Sequence, residues 1–428
     1  MTLALAIGYF FAALAVVGIA YQLIALAAVW RFFARAAPRS AGTEPVTILK
    51  PLHGAEPRLV ENLASFLAQV YAGPVQMVCG VGGAEDPAVL AVHELSRKSE
   101  ALSFPRKREP TSQVSLQSQA QGVTTTQELG PRFRGDDEAG FVTNGVITLN
   151  TGPLAPGANA KIGNLIAMMP AAMHDVLVVS DSDMVVDSLY LSRILGALEQ
   201  PGIGAVTCLY AGRGDAGGWS RISAAAMSYT GLPNMVMALA TSIAQPCLGS
   251  TIAIRRENLA AIGGFERFAD VLADDYAIGE AVAGLGLKVA VPPMVLTHAC
   301  AHRNLAELWH QHLRWSATIR GVAPMRHAGS GVTHALAFAA IAALFLPVPG
   351  FWLIAAALAV RVAMALSVNR IAGVRSRFIL ALPLADFLEF AVFIASLFAR
   401  KIDWRGSRLR IMGQGRIADQ NPSASENS

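Results

Sequence analysis

Residues 1–30 carry no charged side chain, and Arg31, Arg35 and Arg39 follow at once. That apolar stretch exceeds the roughly 20 residues a helix needs to cross a bilayer. Its positive charges come after the apolar core, unlike those of a cleavable signal, so it predicts an uncleaved anchor with residue 31 onward in the cytoplasm. A different pattern starts at residue 46. Short apolar runs at 46–50, 75–81, 141–149, 176–179, 204–210 and 248–254 alternate with stretches of helical period at 56–70, 88–95, 159–169, 188–198 and 277–285. Continuous rather than alternating apolar runs suit strands buried on both faces, and the βαβα order predicts a Rossmann-like α/β domain with a mostly parallel sheet.

The C-terminal third is apolar again, at 332–348, 351–368 and 378–398. Arg370, Arg375 and Arg377 separate the last two segments, and Arg400, Lys401, Arg405, Arg408 and Arg410 follow the third. Placing both basic clusters in the cytoplasm makes the first two segments a hairpin joined by PVPG. The third, which also holds Pro383, Asp386 and Glu389, is then expected to be re-entrant or interfacial, because intramembrane carboxylates are costly. Residues 224–244 are apolar but contain Pro233 and Asn234, and are not expected to span. Leu305, Leu308, His312, Trp315 and Ile319 share one face of a helix expected at the membrane interface. The pattern divides the chain into an anchor at 1–30, an α/β domain at 44–300, an interfacial helix at 301–327, a membrane hairpin plus re-entrant or third helix at 328–400, and a basic then disordered tail at 401–428. One stretch does not fit: 97–138 is rich in Ser, Gln, Thr and Arg without an apolar period. Its FPRKREP and GPRFRGDD resemble a translated genomic repeat, and it is expected to be a disordered surface insertion.

Composition agrees with a membrane-bound chain. Of 428 residues 53% are hydrophobic and 15% charged, and mean hydropathy is +0.44. The net charge of +4 is mild and its basic residues flank apolar segments, which points to anionic lipid and away from nucleic acid. Cys79, Cys208, Cys247 and Cys300 form no CxxC pair, so neither a zinc site nor a disulfide framework is indicated.

The candidate chemistry centres on Asp181-Ser182-Asp183, where the apolar run 176–179 stops. Ligands of open α/β sheets bind beyond the carboxyl ends of strands. Two carboxylates there can share one hard divalent cation that also takes substrate phosphate oxygens. Such a pair can equally cap a helix or close a turn, so its partners matter. Asp86 ends the second strand, where it can also cap the following helix. Lys161 lies at a helix start, where the helix dipole disfavours a cation; an anionic phosphate partner would account for it. Asp274 and Asp275 open the helix at 277–285; capping explains one, and the other is free to act as a general base. Gln311, Arg314 and Trp315 follow about 40 residues on. His298, His302, His310 and His312 lack a carboxylate or Cys at a familiar ligand spacing, so no metal role is expected of them.

The order Asp86, Asp181-x-Asp183, Asp275 and Gln311-x-x-Arg314-Trp315 resembles the family-2-like inverting glycosyltransferases of the GT-A fold. More narrowly, LKPLHGAEPRLVENLASF, EDPA, NAKIGNL, DDYAIGEAVAGLG, QHLRW and IDWRGSRLR look like the ceramide glucosyltransferase family, and within it like bacterial hopanoid-biosynthesis-associated glycosyltransferases. The resemblance implies a UDP-sugar donor, UDP-N-acetylglucosamine on the hopanoid side, and a membrane-lipid hydroxyl as acceptor, hopanoid or ceramide-like. It implies Mg²⁺ or Mn²⁺ on Asp181 and Asp183, Asp275 as catalytic base, and nucleotide-sugar contacts from Lys50, Asp86, Lys161, Asp181, Gln311, Arg314 and Trp315. It also implies a multi-pass protein of the bacterial inner membrane with its catalytic domain on the cytoplasmic face. Two positions depart from relatives. Gly83 stands where another Asp is common, and Leu232 where the animal ceramide enzymes have His. A polysaccharide synthase of the same fold and a non-catalytic nucleotide-sugar-binding scaffold are the rival readings.

Overall fold

The computed structural model describes residues 3–40, 42–102, 118–119, 122–128, 145–241, 247–374, 378–399, 401–404, 407–411 and 417–419. The chain divides into two units. One comprises 37–209 and 245–297, the other 1–36, 210–244 and 298–428.

The first unit is built on a nine-stranded sheet. Its strands are β1 (Val46–Pro51), β2 (Val75–Gly80), β3 (Ser118–Gln119), β4 (Gly122–Glu128), β5 (Gly145–Asn150), β6 (Val176–Val179), β7 (Ile203–Val206), β8 (Ile252–Arg255) and β9 (Lys288–Ala290), in the order β9-β7-β8-β6-β1-β2-β5-β4-β3. The centre, β6-β1-β2-β5, is parallel, with Val46 opposite both Val75 and Val176. β8 runs antiparallel to β6 and β7, and β4 antiparallel to β5. Every residue of β1, β2 and β6 is buried, as strands covered on both faces require; the run of β6 is apolar throughout, while Thr47 and Lys50 in β1 and Gln76 in β2 are buried polar exceptions.

Alternation sorts the side chains between two layers. Leu49, Leu177 and Val179 join Ile162, Leu165, Ile278 and Val282 of the Ala160–Met168 and Asp274–Gly284 helices in one apolar cluster. Phe66 and Tyr190, of the Leu59–Leu67 and Tyr190–Leu198 helices, are fully buried and pack edge to face with ring centroids 5.5 Å apart. A Cβ on Gly80 would lie 2.2 Å from Asn164 Oδ1, so only glycine allows the Ala160–Met168 helix this close to β2.

Several expectations change here. Part of 97–138 is regular: the helix after β2 is Ala88–Leu102, and β4 pairs with β5 from Thr124↔Asn150 to Glu128↔Val146. Main-chain groups on the β5 edge take partners whatever the side chains, which a composition argument does not register. The rest of that stretch lies outside the described residues. The run at 204–210 is two strands, Ile203–Val206 and Leu209–Gly214. The run at 248–254 opens as a tight turn, Thr251 N donating to Leu248 O at 3.1 Å, before β8 begins.

The second unit is largely helical. Leu3–Phe33, Pro347–Ile371 and Ile379–Phe398 are long and apolar enough to cross a membrane, while Pro324–Thr333 and Ala335–Phe345 form a pair bent by 61°. The short element is therefore the first C-terminal apolar segment and not the third. PVPG opens the Pro347–Ile371 helix instead of linking two, because proline is tolerated in a first turn. The carboxylates that argued against a third long helix have partners. Asp386 receives Arg361 Nε at 2.8 Å and Nη2 at 2.6 Å, and Glu389 bonds His312. As far as residue 241, the stretch 224–244 belongs to the Gly218–Ala226 and Leu232–Ala240 helices joined by the π-helical Met227–Gly231; the rest lies outside the described residues. The tail is partly regular too, with Lys401–Trp404, Ser407–Ile411 and Ile417–Asp419 paired antiparallel. Its remaining expected disorder lies outside the described residues.

Candidate active site

The carboxyl ends of β6, β1 and β2 lie side by side, with Lys50 near the end of β1 and Asp181 and Asp86 in the segments that follow β6 and β2. At the end of β6, Ser180 Oγ donates to Ser250 O at 2.8 Å, which ties the start of the Asp-Ser-Asp turn to the turn before β8. Asp181 is half-buried, and its Oδ1 lies 2.8 Å from Lys161 Nζ. Lys161 also reaches Asp274 Oδ2 at 3.5 Å. A Cβ built on Gly249 would sit 2.9 Å from Asp181 Oδ2, 3.3 Å from Asp275 Oδ2 and 3.6 Å from Lys161 Nζ. Asp181, Asp275 and Lys161, 20 to 114 residues apart in the chain, thus close around one glycine.

Burial alone would push the Lys161 ammonium down, but Asp181, Asp274 and Asp275 outweigh it and hold the pKa above the ordinary lysine range. Burial, then the neighbouring Asp274 charge, pushes Asp275 up to about 6, against the pull of Lys161. This is the range of a general base that works near neutrality.

Capping accounts for neither Asp274 nor Asp275. The N-cap position of Asp274–Gly284 is Ala273, without a side-chain bond. Asp275 Oδ1 accepts the adjacent Tyr276 N at 2.9 Å. Asp274 turns to Lys161 and to Asn159 Nδ2 at 3.2 Å. Asn159 is the residue the sequence reading missed. Fully buried, it caps the Ala160–Met168 helix through Oδ1, accepting from Lys161 N and Ile162 N, and its amide donates to Val271 O at 2.7 Å. An Asn immediately before a helical period is a capping signal, so its first role was legible and its second was not.

Lys50 differs from expectation. It is fully buried, its ammonium 2.7 Å from Asp181 O and 3.5 Å above the Phe66 ring. The strand alternation directs it into the layer under β6, where it supports the Asp-Ser-Asp turn instead of facing outward. Burial lowers its pKa to about 7 despite the nearby Asp181 and Asp183. Ser182 Oγ donates to Glu56 Oε1 at 2.7 Å, a second tie on the turn. Asp86, in the loop after β2, receives Gly54 N at 2.9 Å and Ala88 N at 2.8 Å, so it caps its helix and holds the loop after β1.

Gln311, Arg314 and Trp315 belong to the helical unit, on Leu305–Val322. Gln311 Oε1 lies 2.9 Å from His302 Nε2. His312 bonds Ser223 Oγ through Nε2 at 2.8 Å and Glu389 through Nδ1, and packs on Trp315 with ring centroids 5.3 Å apart. Arg314 is half-buried. The expected apolar face is only partly covered: Leu308 and His312 are buried, Leu305 and Ile319 exposed.

A divalent cation fits the donor set. Among the described residues no three His, Cys, Asp or Glu side chains form a metal cluster. A Mg²⁺-like ion, however, takes only one or two carboxylates when substrate phosphates and water complete its shell. Asp181, with Asp183 two residues on, supplies that much, and the site already accommodates a positive charge at Lys161.

The sequence matches the model of glycosyl transferase family 21 over residues 10–106 and 144–417. Among solved structures it is similar to a mannosyltransferase from Pyrobaculum calidifontis in complex with GDP-Man and Mn²⁺, at 18% identity over 92% of this chain and 99% of that one, with a TM-score of 0.47. It is also similar to glucosyl-3-phosphoglycerate synthase from Mycobacterium tuberculosis in complex with Mn²⁺, UDP and phosphoglyceric acid, at 16% identity over 68% of this chain and 81% of that one, with a TM-score of 0.33.

Proposed function

The chain belongs to glycosyl transferase family 21, and from that premise we propose that it moves one sugar from a UDP-sugar to a membrane-lipid hydroxyl, inverting the anomeric centre. UDP-N-acetylglucosamine as donor and a hopanoid as acceptor follow from the narrower sequence resemblance. The observation that carries the proposal is the closure of Asp181, Asp275 and Lys161 around Gly249 at the sheet's carboxyl edge, in a chain whose described residues include three helices apolar enough to cross a membrane.

Asp275 takes the proton of the acceptor hydroxyl as the bond to the anomeric carbon forms; the bond to the diphosphate breaks, and UDP leaves. A hydroxyl is a weak nucleophile until a base at hydrogen-bond distance receives its proton. Lys161 lies between that base and Asp181, where an ammonium favours negative charge on the departing diphosphate. Asn159 fixes the start of the helix that carries Lys161 and contacts Asp274, so both charged elements are set by one buried amide. Lys50 and Glu56 hold the Asp-Ser-Asp turn from beneath. Asp181 and Asp183 would hold Mg²⁺ or Mn²⁺, which when bound supplies further charge neutralisation to the leaving group. Gln311, Arg314 and Trp315 are assigned to the diphosphate and acceptor region, and Asp86 to the uridine.

The test is transfer by the purified full chain in detergent. It is incubated with UDP-N-acetylglucosamine or UDP-glucose and a bacterial lipid extract, and the products are resolved by mass spectrometry. One added hexosamine on a triterpenoid alcohol is expected. Polymeric product, or neither transfer nor hydrolysis of either donor, would overturn the proposal.

A further inference from the structure

The Leu3–Phe33 helix is apolar almost throughout, yet near its middle it carries Tyr21 and Gln22 side by side. A polar side chain in a membrane-crossing segment is costly unless partnered, and marks a functional site by default. Tyr21 OH donates to Asn234 Oδ1 at 3.0 Å, and Gln22 Nε2 to Thr333 O at 3.0 Å. Gln22 is only 6% exposed, and its other amide atom, Oε1, has no hydrogen-bond partner among the described residues. Leaving a buried acceptor unmade costs the desolvation of that group, so a donor belongs there.

The space beside it is a partly open cavity within the helical unit, lined by Tyr21, Gln22, Thr230, Asn234, Thr333 and Arg361 among others. Its room is about 10 Å³, on the scale of one hydroxyl or one water. Arg361 is its one charged lining residue, and that charge is taken. The guanidinium binds both oxygens of Asp386, Thr230 Oγ1 at 2.7 Å and Tyr229 O. A phosphate or carboxylate head would find no free cation, and an ammonium no free anion. The socket selects a small neutral O–H donor.

We infer that this cavity is a lipid-hydroxyl socket: Gln22 Oε1 accepts the hydroxyl of a neutral lipid whose apolar body lies along the membrane-crossing helices. The inference rests on the reading of the acceptor as a membrane lipid and adds a holding point, in the helical unit, for the hydroxyl of a lipid that is not reacting, separate from the hydroxyl whose proton Asp275 takes. Water offers the same donor, and the two sources separate by experiment.

The full chain in lipid nanodiscs is irradiated with a photoactivatable hexadecanol bearing a diazirine beside its hydroxyl, and the labelled peptides are mapped. Label is expected on 21–25 and 229–234. Unlabelled hexadecanol should compete about tenfold better than its methyl ether, which keeps the oxygen but cannot donate; that is the scale of one buried hydrogen bond. Gln22→Met should lose labelling by a similar factor, with Gln22→Asn, which withdraws the oxygen by one methylene, as the second variant should the first not fold. Label elsewhere, equal competition by the ether, or undiminished labelling of the folded variant would each leave water as the occupant and overturn the inference. Wild-type UDP-sugar hydrolysis, measured in parallel, separates failure of the socket from failure of the transferase reading.

Discussion

At the residue scale the proposed chemistry hangs on Asp275. Its carboxyl is pushed up to about 6 by burial and by Asp274, so it holds its proton in the folded chain when an unfolded one would already have lost it. Two consequences follow. Activity requires the ionised form, so kcat/KM measured against pH should rise through about 6 to a plateau; a profile flat from pH 5 to 8 would remove Asp275 as base. Stability runs the other way: the raised pKa contributes stability below pH 3.8, and this is lost as pH rises through about 6. Asp275→Asn should therefore lose roughly 10²–10⁴-fold in turnover with an unchanged or higher melting temperature at pH 7. Lys161 makes a second residue-scale case. Its ammonium already sits on Asp181, so Mn²⁺ alone competes with it for that carboxylate. Lys161→Met should bind Mn²⁺ more tightly than wild type without nucleotide, by electron paramagnetic resonance titration, and bind UDP more weakly. Equal Mn²⁺ affinity in the two proteins would remove the competition.

At the element scale, what was legible in the sequence and what was not divides by range. β6 was readable because a strand covered on both faces leaves an unbroken apolar run, β1 and β2 because theirs are mostly apolar and end at turn residues, and Asp181 was readable because such a run stops there. The turn at 248–251 was not: Leu-Gly-Ser-Thr reads as the start of a strand, and only the fold brings Gly249 against Asp181 and Asp275. Gly249→Ala would press a methyl into both carboxylates. Displacing reacting groups by the order of 1 Å can cost roughly 10²-fold, so a loss of that size in kcat with intact secondary structure by circular dichroism is expected. Asp386 was misread for the same reason. A carboxylate in an apolar segment looks costly until Arg361, 25 residues earlier on another helix, is found beside it. Breaking such a pair leaves a buried charge alone, at about 3–5 kcal/mol, whereas replacing both partners by apolar groups is often neutral or better. Arg361→Leu should thus lower the melting temperature sharply and Arg361→Leu/Asp386→Leu recover most of it; additive losses from the two single changes would show that the pair is not energetically coupled.

At the scale of the whole molecule, the family match passes over 107–143 while covering both flanks. The Ala88–Leu102 helix ends before that interval and β5 begins after it, at Gly145. Within it, Gly122–Glu128 and then Ser118–Gln119 extend the sheet past β5, away from the central strands β2 and β6 that precede Asp86 and Asp181. Removing 107–143 and joining the ends with a short flexible linker takes away that edge pairing and also shortens a loop. Loop closure changes by only about 0.6 kcal/mol per doubling of length, so it offsets part of the loss. The site residues are all outside the interval, and their contacts run through Ser250, Asn159, Glu56 and Phe66, which are outside it as well. The shortened chain should therefore keep its donor hydrolysis within about threefold and unfold only a few degrees lower, because an edge strand lost at the sheet's margin leaves the central register intact. A shortened protein that folds but has lost hydrolysis would place part of the functional site inside the interval and would require the division between sheet margin and reacting centre to be redrawn.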